Sequence, residues 1–130
     1  MLNALGQRVP NMRLTLLSSL PPAFLHARFQ GDFDHVELAP DFGLVMNSAL
    51  SIDLEASAAA YRRLHENWAN QVVKQGDRLQ QLTPDLLLAD VPYLALAAAG
   101  KAGIPSLALC SLNWADIYRH YFAERPEASG

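Results

Sequence analysis

Apolar residues fall along this chain in two alternating patterns. Short β-branched or leucine-rich runs alternate with longer segments of helical period, the order expected of a parallel sheet covered by helices. Residues 12–18 form the first run, bounded by Pro10 on one side and Pro21 and Pro22 on the other, and read as a strand. Pro22 suits the first position of a helix because no amide hydrogen is needed there, so residues 23–29 are expected to be a short helix ended by Gly31. A second strand is expected over residues 35–38. Residues 39–52 mix Pro40, Asp41, Gly43 and Asn47 with apolar residues, which points to a structured loop.

From Asp53 to about Leu82 the apolar positions Leu54, Ala58, Tyr61, Leu64, Trp68, Val72 and Leu79 recur in steps that keep them on one helical face. One long amphipathic helix of about 40 Å is expected. Ser51 or Asp53 would cap it, and Gly76 marks a weak point where it would bend or end early. Residues 85–89 are an almost continuous apolar run, as in a strand buried on both faces. An alanine-rich helix over 92–101 is stopped by Gly103, a strand follows over 104–110, and a last helix over 113–122 has Asn113 as its candidate cap. At the start, residues 1–5 with Gly6 read as the last turn of a helix and its cap, with no strand before them. These elements make a single α/β domain over residues 1–123 with a polar tail over 124–130. The fold class is α/β, a three-layer Rossmann-like parallel sheet lacking its first strand.

Composition narrows the function. The chain has 130 residues, one domain's worth, and 51% of them are hydrophobic, which is compatible with a face meant for a partner and almost equally with an alanine-rich core. A formal charge of -3 without a basic block removes the electrostatic footprint of nucleic-acid binding. The single cysteine, Cys110, lies among Leu107, Ala108 and Leu109 and is expected to be a buried, inert thiol in a reducing, cytoplasmic compartment. Arg8 and Arg13 before an apolar stretch imitate a secretory signal, but Ser18, Ser19, Pro21 and Pro22 interrupt it and it falls short of the roughly 20 residues of a membrane span.

In open parallel sheets ligands bind outside the carboxyl ends of the strands, where helix N-termini and loop amides converge. That rule selects Ser18, Asp41, Gly43, Asp90, Asn113 and Trp114 as candidate ligand-binding residues. Each has a plainer alternative. Asp90 could cap the helix near Pro92, Asn113 could be only a cap, and Trp114 with Tyr118 four residues on could be packing. The triplet Asp41-Phe42-Gly43 matches a kinase magnesium motif by letters alone, without the Gly-rich loop, strand lysine or catalytic-loop signature. His26, His35, His65 and His120 are widely separated, so no metal site is expected, and no dinucleotide, P-loop or nucleophile-elbow fingerprint implies a cofactor. His65 lies beside the apolar stripe of the long helix, either bordering a cleft or half-buried for structure.

Residues 84–121 carry Asp90, Pro92, Gly103-Ile104, Asn113-Trp114 and Ile117-Tyr118 in an order that resembles the N-terminal glycosyltransferase-like domain of arabinokinase-type sugar kinases and their free-standing bacterial relatives. The loop Asp41 to Gly43, the helix start Ser51-Ile52-Asp53 and the strand near residues 12–18 add to the resemblance. It implies the N-terminal half of a GT-B fold. It also implies the acceptor-side portion of a sugar transferase, without the first strand and Gly/His-rich loop that bring a catalytic base and without the C-terminal half that binds the nucleotide sugar. No catalytic residue is nominated. The partner implied is a donor domain on another chain or a second copy of this one, with a sugar or nucleotide sugar as ligand. A non-catalytic sugar-binding module and a partner-dependent interaction subunit stand as alternatives.

Overall fold

The computed structural model describes residues 1–38, 43–110 and 113–124. The protein is mixed α/β, and its chain divides into two compact units, Met1–Pro40 and Asp41–Gly130.

The first unit runs α1 (Leu2–Arg8), β1 (Thr15–Ser18), α2 (Pro22–Arg28) and β2 (Asp34–Glu37). Helix α1 is two turns long and passes through Gly6, so Gly6 is not the cap the sequence suggested; Val9, in extended conformation, ends the helix. Strands β1 and β2 pair in parallel, Thr15 with Asp34 through Ser18 with Glu37, and α2 is the crossover between them. Pro22 starts that crossover as expected, because its missing amide hydrogen has no partner in the first turn anyway. Asn3 ties α1 to the end of α2: its Nδ2 donates to the Arg28 carbonyl at 3.1 Å and its Oδ1 accepts from the Gln30 amide at 2.9 Å. These bonds satisfy backbone groups that a helix end leaves open.

The second unit opens with a hairpin where a loop was expected. Strands β3 (Met46–Ser48) and β4 (Ser51–Ile52) pair antiparallel, Met46 opposite Ile52, with Leu50 at the turn 97% exposed. These strands are short and lack an alternating apolar face, which is why periodicity could not reveal them. Asp41 and the other residues of 39–42 lie outside the described residues. Next come α3 (Leu54–Glu66) and α4 (Trp68–Leu82), where one continuous helix was expected. The break falls at Asn67, at φ -128° and ψ 31°, and not at Gly76. Gly76 is buried inside α4, where a Cβ would sit 3.4 Å from the Ala98 carbonyl oxygen, so its role is close approach to the neighbouring helix.

That neighbour is α5 (Tyr93–Ala102), flanked by β5 (Leu87–Ala89) and β6 (Ser106–Ala108), which pair in parallel; α6 (Trp114–Phe122) follows. Gly103 at φ 72° closes α5 in the left-handed conformation that a glycine adopts without strain. The core is here: Ala58, Leu79, Ala89, Leu94, Ala95, Ala98, Ala99 and Phe122 are buried. Five of these eight are alanines, which let helices approach closely but each contribute little apolar area. Three two-stranded sheets form among the described residues, two of them parallel. No helix among these residues is long and apolar enough to cross a membrane.

Candidate functional site

Residues 43–45 are anchored to the start of α3 from two directions. The Asp53 amide donates to the Val45 carbonyl at 2.8 Å, and the Val45 amide donates to Ser57 Oγ at 2.9 Å. Asp53 also caps α3, its carboxylate accepting from the Ala56 amide at 2.8 Å, which fulfils one of the two capping alternatives. Ser57 is fully buried, and its carbonyl accepts the Tyr118 hydroxyl at 3.0 Å. One serine on α3 therefore positions both the segment after Gly43 and the helix that carries Trp114.

The result is a contact between two of the sequence-selected residues. Gly43 holds φ +65°, and a Cβ there would lie 3.6 Å from the far edge of the Trp114 indole. Trp114 is half-buried, and its Nε1 hydrogen is shielded from solvent with no hydrogen-bond partner among the described residues. A buried donor left unpaired costs about 1 to 3 kcal/mol.

Asn113 is engaged as a cap. Its Oδ1 accepts from the Asp116 amide at 2.8 Å, its Nδ2 donates to the Asp116 carboxylate, and that carboxylate's other oxygen takes Arg119 at 2.7 Å. Asp90 behaves differently from the expected cap. The α5 N-cap is Pro92, two residues after Asp90, and no side-chain bond caps the helix. Asp90 is exposed, one residue past β5, and forms no hydrogen bond among the described residues. Ser18, in the first unit, is occupied locally: its Oγ accepts the Leu20 amide at 3.1 Å and its carbonyl accepts the His35 Nε2 hydrogen at 2.9 Å.

Sequence reasoning missed an aromatic ladder. Tyr61 packs at a tilt against Tyr118 at 4.5 Å between centroids and against His65 at 4.0 Å; His65 stacks on Trp68 at 5.2 Å and 7°. Tyr93, three residues past Asp90, closes on both His65 and Trp68, and Phe122 extends the ladder beyond Tyr118. His65 Nδ1 meets the Tyr61 carbonyl at 2.9 Å; a carbonyl only accepts, so Nδ1 is the donor. Tyr61 and Trp68 are visible in the sequence as part of one helical stripe, with His65 beside it. Tyr93 and Tyr118 come from distant elements, and no local spacing signals their arrival.

Cys110 is exposed and not buried. Strand β6 ends at Ala108, and exposure begins within it and continues past it, with Leu107 57% and Leu109 49% exposed.

Comparison with known proteins finds nothing similar: no family model, curated protein or solved structure matches this chain.

Proposed function

We propose that this chain is the acceptor-side portion of a GT-B-like glycosyltransferase, and that it is not catalytic by itself. One observation carries the reading. At the carboxyl end of parallel strand β5, a carboxylate without a hydrogen bond among the described residues, Asp90, stands three residues before Tyr93 of the aromatic ladder; the same unit holds the shielded indole donor of Trp114, which has no partner among the described residues. A carboxylate that accepts, an N–H that donates and aromatic surface are the groups that hold a sugar ring by its hydroxyls and its apolar face. Each parallel pair is a strand-helix-strand unit of the kind from which a Rossmann-like three-layer sheet is built. That finer architecture, lacking a first strand, belongs to this reading, as do a cytoplasmic setting and a partner bearing the nucleotide-sugar half.

The described residues offer no paired base and diphosphate-binding cluster, and transfer needs both: a base for the acceptor hydroxyl and donors for the departing diphosphate. In this reading the partner supplies them. Leu86, Leu107 and Leu109, on and beside β5 and β6, are each about half exposed, and in this reading the partner covers them. A sugar-binding module without catalysis would use the same residues.

The test is a titration of the isotope-labelled chain with galactose and N-acetylglucosamine, following the Trp114 indole resonance. The reading expects a saturable shift, weakened roughly tenfold in Asp90→Ala, as for loss of a hydrogen bond to a charged group. An indole resonance that stays fixed for both sugars would remove the acceptor-site assignment.

A further inference from the structure

The first unit contains a second site with a different character, independent of the transferase reading. Between α1 and the segment that follows α2 lies an open cleft of about 250 Å³. Its volume is below the roughly 300 to 1,000 Å³ of clefts that take drug-sized ligands, so its occupant is small. Its lining is unusual in chemistry: Gln7, Asn11 and Gln30 bring three side-chain amides, Asp32 a carboxylate, and Phe29 an apolar ring.

None of these four polar side chains has a hydrogen bond among the described residues. Asn3, also on the wall, is by contrast engaged in joining Arg28 and Gln30, so one amide ties the wall together while the others remain available. Asn11 is presented from a left-handed backbone at φ 65°, a conformation that Asn tolerates better than most residues. Gly31 gives Phe29 its room: a Cβ there would come within 3.0 Å of the Phe29 ring.

Side-chain amides both donate and accept, and so does a hydroxyl; a carboxylate accepts from two neighbouring hydroxyls at once. No lysine or arginine lines the cleft, so a phosphate or carboxylate ligand would meet Asp32 with nothing to offset the repulsion. We propose that this cleft binds a small neutral polyhydroxylated ligand of monosaccharide size, with Asp32 and Gln7 as its main polar contacts and Phe29 as its apolar wall.

Backbone amide resonances of the labelled full-length chain during titration with glucose, galactose, arabinose and myo-inositol test this directly. The expected result is saturable shifts of Gly6, Phe29 and Gly31 with at least one of the four, in the millimolar range fitting a shallow, wet site. Asp32→Ala should weaken that binding roughly tenfold, and Gln7→Ala several-fold, with resonances outside the cleft unchanged. Gly31→Ala, which displaces the Phe29 ring, should weaken it as well. No saturable shift with any of the four compounds overturns the proposal. So does equal affinity in Asp32→Ala, or tighter binding of glucose 6-phosphate than of glucose. Shifts at these residues are distinct from any at Trp114, so this site and the proposed acceptor site stand or fall separately.

Discussion

Gly43 and Trp114 show how much one residue's backbone decides. At φ +65° any residue with a Cβ is strained, while the space beside the indole edge at 3.6 Å is ordinary contact distance. Gly43→Ala should therefore destabilise the second unit by about 1 to 2 kcal/mol through the backbone alone, measured by urea denaturation. Asn113→Ala removes the α6 cap and its link to Asp116, and should cost about 1 kcal/mol in the same experiment. Tyr118→Phe keeps the ring in the ladder but deletes the bond to the Ser57 carbonyl, a loss of about 1 kcal/mol. A Tyr118→Phe variant as stable as the parent would show that the buried Ser57 is not the anchor described above.

Among elements, the closest packing is between α4 and α5, where Gly76 faces Ala98 and Ala102. Gly76→Leu has no space to enter and should cost about 1 to 3 kcal/mol or more by forcing the helices apart. Thermal denaturation followed at 222 nm checks this, and an unchanged midpoint would refute the packing account. Most elements of this kind were legible from the sequence. Prolines, glycines and apolar runs located β1, α2, β2, β5, α5, β6 and α6 to within a few residues, because each is bounded by chemistry that the backbone obeys locally. What failed was also local in cause. The break at Asn67 escaped because the apolar stripe continues across it through Trp68, so periodicity is blind to a single residue leaving helical geometry. Gly76 looked like the weak point because propensity counts its flexibility and not the helix packed against it. The hairpin over residues 46–52 was missed for want of an apolar face.

For the whole molecule, the sequence could name residues at strand ends but not which of them meet. Gly43 does meet Trp114, Asn113 is engaged as a cap, and Asp90 is left without a hydrogen bond among the described residues because Pro92 takes the capping position. The ladder from Trp68 to Phe122 depends on α3, α4, α5 and α6 assembling, which no spacing encodes. The exposed leucines at β5 and β6 follow the same logic: an apolar run predicts a buried strand, yet half of Leu86 and more than half of Leu107 face solvent in this chain. That mismatch between sequence pattern and burial is what the transferase reading attributes to a missing partner.

The most direct measurement is sugar transfer by the protein isolated with its associated chains from its native cells, beside the isolated chain, using labelled nucleotide sugars. The account predicts turnover only in the assembly, with a companion chain that binds the nucleotide sugar, and a kcat/KM reduced roughly tenfold or more by Asp90→Ala. Transfer by the isolated chain alone, or an assembly that turns over no nucleotide sugar, would contradict it.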